Sequence, residues 1–158
     1  MYSEYQYDID INKVLFMLAV HELEEIIIGD LTFWDISLEE KKLKVMKQWK
    51  KLSSLIRKEE IKDLIFEFDD RKTREALFAY HCDKLERDLQ CKLYDEEGCV
   101  DMDKQIDNKI YNTDRIQNII KDGNPSWSSM WLKFDRSKFI DDDNFIEVLD
   151  YAKKYKIK

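Results

Sequence analysis

His21, Glu22, Glu25 and Asp30 fall in one short stretch, His21-Glu22-Leu23-Glu24-Glu25-Ile26-Ile27-Ile28-Gly29-Asp30. Imidazole and carboxylate together are what a divalent cation takes as ligands, and further acids beside them suit proton transfer at such an ion. Their setting sharpens this reading. Wound as a helix, Ile11, Val14, Leu15 and Leu18 form an apolar stripe, Glu22 and Glu25 continue it, and His21 lies on its edge. A carboxylate aimed at a core is costly unless it is paired or binds a metal, so the stripe is expected to end in a site. Neighbours such as His21 and Glu22 diverge around a helix. An ion they share must lie beyond the helix face and take a further ligand from elsewhere.

Asp83 is the candidate for that ligand. It stands beside the apolar stripe of a later helix, with Ala76 and Ala79 on its own side leaving room for a close neighbour. Plainer roles exist for the same residues: Glu25 paired with a Lys or Arg of a later helix, Asp30 as a turn residue after Gly29, and Asp83 paired with Arg87 one turn on. His81, two residues from Asp83, points to another face and is expected at the surface.

The elements that must position these residues can be read from caps and periodicity. Residues 1–9 are polar and tyrosine-rich, with little to anchor them. Asp10 is the expected N-cap of a helix from Ile11 to Ile28, with Gly29 as its stop. Asp30 to Ile36 is a loop or turn carrying Phe33 and Trp34. Ser37-Leu38-Glu39-Glu40 has the form of a capping box and opens a helix to about Leu55 that buries Val45, Met46, Trp49 and Leu52. A shorter helix from Glu59 to Phe68 buries Ile61, Leu64, Ile65 and Phe68 and breaks at Asp69-Asp70. The longest helix, about Lys72 to Tyr94, lines one face with Phe78, Cys82, Leu85, Leu89 and Leu93; its Leu89–Leu93 end suits core or a subunit interface. A helix from Asp103 to Lys121 through Ile106, Ile110 and Ile116 precedes the breaker Asp122-Gly123-Asn124-Pro125. Trp127, Met130 and Trp131 then cover the core, and a last helix spans Asp143 to Tyr155.

Composition agrees. With 3 glycines and 1 proline, the turns a β-protein needs are scarce, while the 39% of charged residues are interleaved with apolar ones, as wet-faced helices require. The expected fold is all-α, a compact helical bundle forming one domain over residues 1–158. A net charge of −7 argues against binding nucleic acid or an anionic membrane, and Lys-rich runs such as Lys41-Lys42 read as solvated helix faces. No apolar run approaches the roughly 20 residues of a membrane span. Cys82, Cys91 and Cys99 are odd in number and lack metal spacing, which fits free thiols in a reducing cytoplasm.

The segment from Leu18 to Thr32 resembles the HD motif of the HD-domain phosphohydrolases, in the branch reading HDxxE and then GDI or GDL that holds the 5′-deoxynucleotidases. Phe78-Ala79-Tyr80-His81-Cys82-Asp83 resembles that branch's second motif, in the same order and at a suitable separation. The resemblance covers Ile11 to Tyr94. It implies a compact HD-like bundle with His21, Glu22 and Asp83 as ligands of a divalent metal ion such as Mn, Co or Mg. It implies Glu25 and Asp30 as the acidic pair that positions water and protonates the leaving sugar oxygen. The implied reaction is hydrolysis of a phosphomonoester such as a (deoxy)nucleoside 5′-monophosphate, and family members commonly form homodimers. Two departures are visible. Glu22 stands where the family has aspartate, and the histidine of the family's preceding AEHS-like segment has no counterpart before His21. They define the alternative expectation, a non-catalytic HD domain that binds a nucleotide or a protein.

Overall fold

The computed structural model describes residues 1–31, 35–55, 59–105 and 107–157. Phe33, Trp34, Ile106 and the side chain of Leu52, for which positions were expected, lie outside the described residues. The elements are α1 (Tyr2–Tyr5), α2 (Ile11–Val20), α3 (Glu25–Ile28), α4 (Leu38–Leu55), α5 (Glu59–Asp70), α6 (Arg74–Glu96), α7 (Asp114–Lys121), α8 (Trp127–Asp135) and α9 (Asp143–Lys154), with 3-10 turns at Met102–Gln105 and Arg136–Phe139. All regular structure among the described residues is thus helical, as composition demanded. No helix there is long and apolar enough to cross a membrane. The chain divides into two compact units, Asp8–Tyr80 and Met1–Tyr7 with His81–Lys158.

In the unit Asp8–Tyr80, the Asp10 carboxylate accepts from the backbone N–H of Asn12 at 3.0 Å and of Lys13 at 3.2 Å, opening α2 as expected. The helix does not run on to Ile28. After Val20 the backbone tightens into three-residue steps, Leu23 N donating to Val20 O and Glu25 N to Glu22 O, before α3 resumes. Gly29, at φ 80°, then ends α3 in a conformation few other residues tolerate. The buried face is also phased differently from the expectation. Val14, Met17, Val20 and Glu24 are buried, whereas Leu15 is 58% exposed. Met17 and Val20, not Leu15 and Leu18, carry the stripe, so Glu24 is the acid it runs into.

The capping box at α4 forms in both directions: Ser37 N donates to Glu40 Oε2 at 2.9 Å and Glu40 N to Ser37 Oγ at 3.2 Å. Val45 is buried, but Met46 is 63% exposed, because it turns about 100° away from the inward face that carries Lys41, Val45 and Trp49. α5 continues through Asp69 to Asp70 instead of breaking before them, and Arg71 at φ 52° makes the turn. α2 packs on α5 through Val14, Met17, Ile65 and Phe68, and α3 packs on α4.

In the unit formed by Met1–Tyr7 and His81–Lys158, Asp142 caps α9, accepting from Asn144 N at 3.2 Å and Phe145 N at 3.4 Å. Tyr7 O–H donates to the same aspartate at 2.6 Å and accepts from Asn144 Nδ2 at 3.0 Å, which ties down a segment expected to lack an anchor. The helix expected from Asp103 to Lys121 is shorter. The Asn108 side chain accepts from Ile110 N and Tyr111 N, an Asx-type turn that competes with helix, and α7 starts only at Asp114. Gly123 ends it, and Ser126 opens α8 with its own capping box. Ile116, Met130 and Phe134 form a core that Trp127 and Trp131 pack against, so the tryptophans are core cover.

Candidate functional site

His21 caps the C-terminal end of α2 and stacks on Phe68 of α5, ring centroids 4.6 Å apart. Its Nδ1 lies 2.8 Å from the Leu18 carbonyl. A carbonyl can only accept, so Nδ1 carries the hydrogen and Nε2 carries the lone pair, the tautomer in which histidine binds metals. Nε2 is 3.8 Å from Glu22 Oε1, whose side chain is 69% exposed. Donors that each sit about 2.1 Å from one ion stand about 3–4 Å apart, so this pair fits a shared divalent cation. The phase of α2 corrects the expectation that Glu22 faces the core: it points outward, beside a half-buried imidazole.

Glu24, which the motif did not single out, is the buried acid. It is 1% exposed, and its Oε1 lies 2.7 Å from Lys41 Nζ on α4. Burial pushes its carboxyl above the ordinary value, with the Lys41 ammonium opposing. Lys41 also reaches Glu25 Oε1 at 3.9 Å. Burial lowers the Lys41 pKa, but the contact with Glu24 and the charges of Glu24, Asp69 and Glu25 together outweigh that and leave it raised. Lys41, expected to be part of a solvated run, is instead the cation of this acidic stretch. The signal was present, since it lies one turn inside the Ser37 cap and Val45 is buried four residues on.

Glu25 is half-buried, and burial, followed by the negative charge of Asp30, raises its pKa above the usual carboxylate range. Asp30 is exposed just past Gly29. A carboxyl that keeps its proton more readily, beside one open to water, is the arrangement an acid–base pair needs.

Asp83 lies on α6, half-buried, with Lys84 Nζ 2.5 Å from its Oδ2. Arg87 is engaged with the buried Asp135 and lies 3.5 Å from Asp88. His81 corrects the surface expectation: it is 1% exposed, packed edge-on against Phe139 and Phe145 with centroids 5.4 and 5.1 Å away. Burial lowers its pKa, opposed by Asp141 and Asp142, and favours the neutral ring. The buried face of α6 is Phe78, His81, Leu85 and Asp88, a three–four spacing that could have been read from the sequence. Cys82, Leu89 and Leu93, expected on that face, are only partly buried, and the three cysteines are free thiols.

Comparison with known proteins agrees with the motifs. The HD domain family matches residues 1–123. A 5′-deoxynucleotidase of Dictyostelium discoideum is 36% identical over 108 residues, 65% of this chain and 54% of that protein. The chain therefore spans about half the length of the curated relative it matches. No solved structure matches it significantly.

Proposed function

This chain belongs to the HD domain family, and from that premise we propose that it is a metal-dependent phosphohydrolase acting on nucleoside 5′-monophosphates. The observation that carries the reading is the His21 imidazole, its tautomer set by the Leu18 carbonyl and its Nε2 turned toward Glu22. The relative's deoxynucleotidase activity supports the substrate class.

His21, Glu22 and Asp83 would hold the divalent ion, the third assigned from the order and spacing of the two motifs. When bound, such an ion supplies Lewis acidity, lowering the pKa of water and offsetting phosphate charge. Glu25, whose pKa burial and the charge of Asp30 raise, would protonate the departing 5′ oxygen. Asp30, open to solvent beyond Gly29, would orient the attacking water and accept its proton. Glutamate at position 22 is one methylene longer than the family's aspartate. An ion held by this chain would therefore sit farther from the helix backbone than in relatives with aspartate.

The decisive experiment incubates the purified chain with dAMP, dUMP and dTMP in the presence of Mn²⁺, Co²⁺ or Mg²⁺ and measures released phosphate. Turnover lost on chelation and on His21→Ala is the expected result. No phosphate release with any of the three ions overturns the enzyme reading and leaves the chain a binding module. A cytoplasmic location and a homodimer belong to the same proposal, the second checked by light scattering.

A further inference from the structure

Within Asp8–Tyr80 the acidic stretch is met, among the described residues, by the ammonium of Lys41. Lys41 Nζ stands 2.7 Å from Glu24 Oε1 and 3.9 Å from Glu25 Oε1. The three side chains form a graded series: Glu24 is 1% exposed, Lys41 20% and Glu25 27%. Glu24 is sealed from solvent, so it has no access to a substrate. The cation beside it is Lys41, whose ammonium the charge of Asp69 on α5 also favours. Lys41 sits in the first turn of α4, its backbone N–H donating to Ser37 O at 2.9 Å in a helix start closed by Ser37 and Glu40. An ammonium paired with a buried acid on one side thus stands within ion-pair distance of Glu25 on the other.

Glu25 needs such a partner. Glu22, Glu24 and Asp30 are all close enough to bear on its charge. Three negative neighbours would drive a carboxylate toward water unless a cation held it. We infer that Lys41 is a positioning residue for Glu25: Glu24 fixes the ammonium, and the ammonium holds the Glu25 carboxyl at the site and off the solvent. This rests on the reading of Glu25 as the acid of a phosphohydrolase. In this role Lys41 acts through Glu25. Its effect is on where the Glu25 oxygens point when the leaving oxygen needs a proton, and a misplacement of about 1 Å there costs on the order of 100-fold in rate.

Removing Lys41 alone would also strand the buried Glu24, so folding and positioning must be separated. The test is steady-state hydrolysis of dAMP with Mn²⁺ by the full chain, carried out on Lys41→Met, on Lys41→Arg and on the double variant Glu24→Leu with Lys41→Met, alongside melting curves. The double variant replaces the ion pair by apolar side chains and is expected to melt closer to the parent than Lys41→Met does, Asp69 still losing a cation in both. It is also expected to remain about 10- to 100-fold slow in kcat with KM changed less than threefold, and Lys41→Arg to recover most of the loss. A double variant that regains full kcat would show that Lys41 only neutralises a buried charge, and would overturn the proposal. The clamp has a second readout that needs no turnover. Melting shifts of Lys41→Met, Glu25→Gln and their combination are expected to be non-additive, because each removes the same contact. Additive shifts overturn the clamp even in an active enzyme. Non-additive shifts in a chain that releases no phosphate uphold the clamp while the phosphohydrolase reading fails.

Discussion

Asp88 and Asp135 are 1% and 0% exposed, and the same guanidinium, Arg87, reaches both, while Lys138 Nζ sits 2.7 Å from Asp135 Oδ1. Burial first, and then the charge of Asp135, push the Asp88 carboxyl up to about 8, with Arg87 and Lys138 opposing. An unfolded aspartate releases its proton near pH 4. Between that value and about 8 the folded chain therefore binds a proton that the unfolded chain has given up, and stability falls as pH rises through the window. Asp88→Asn carries a permanent neutral group, so its urea midpoint relative to the parent should climb from pH 5 to pH 8 and level off above. A constant difference across that range would place the proton elsewhere. Lys41→Met should be costly on its own, about 3–5 kcal/mol in urea unfolding, because it leaves the buried Glu24 carboxyl without its partner. Neither position was chosen from the sequence for its chemistry. A buried acid and a surface acid look alike until the phase of the helix is known, and the partners that decide it come from other helices.

At the level of elements, local chemistry was legible wherever a short-range hydrogen bond decides the backbone. Asp10, the Ser37–Glu40 box and the stop before Pro125 all stand where their side chains dictate. What failed was continuity and phase. The run from Ile11 to Ile28 has helical composition throughout, yet it breaks after Val20. The run from Asp103 to Lys121 yields to the Asn108 turn. The caps can be ranked. Asp10→Ala loses two N–H acceptances and should cost about 1 kcal/mol. Asp142→Ala loses a similar cap on α9 together with the Tyr7 phenol bond, and should cost about twice as much. Equal costs in thermal unfolding would mean that the Tyr7 bond contributes nothing. Gly29→Ala meets open space, so its penalty, about 1–3 kcal/mol, is that of holding a side chain at φ 80° and ψ 165°.

For the whole molecule, the family was readable because its two motifs keep their order, and the match over residues 1–123 includes both. The all-helical class followed from scarce glycine and proline. Ion uptake by His21, Glu22 and Asp83 belongs to the proposal, and the net charge of −7 shapes its test, since an acidic surface attracts any cation. Specific binding can be separated from this background by linkage. An ion that binds the folded chain alone stabilises it by about 2.7 kcal/mol at a hundred times its dissociation constant, whereas screening saturates with ionic strength whatever the ion. The expected outcome is a melting temperature raised by Mn²⁺ in the presence of 0.15 M salt (about physiological), returned to baseline by EDTA, and insensitive to Mn²⁺ in His21→Ala. Nδ1 of that histidine is committed to Leu18, so no other nitrogen on the ring can substitute for Nε2. If His21→Ala kept the full shift, the cation would be acting on the surface charge and the imidazole would have no part in holding it.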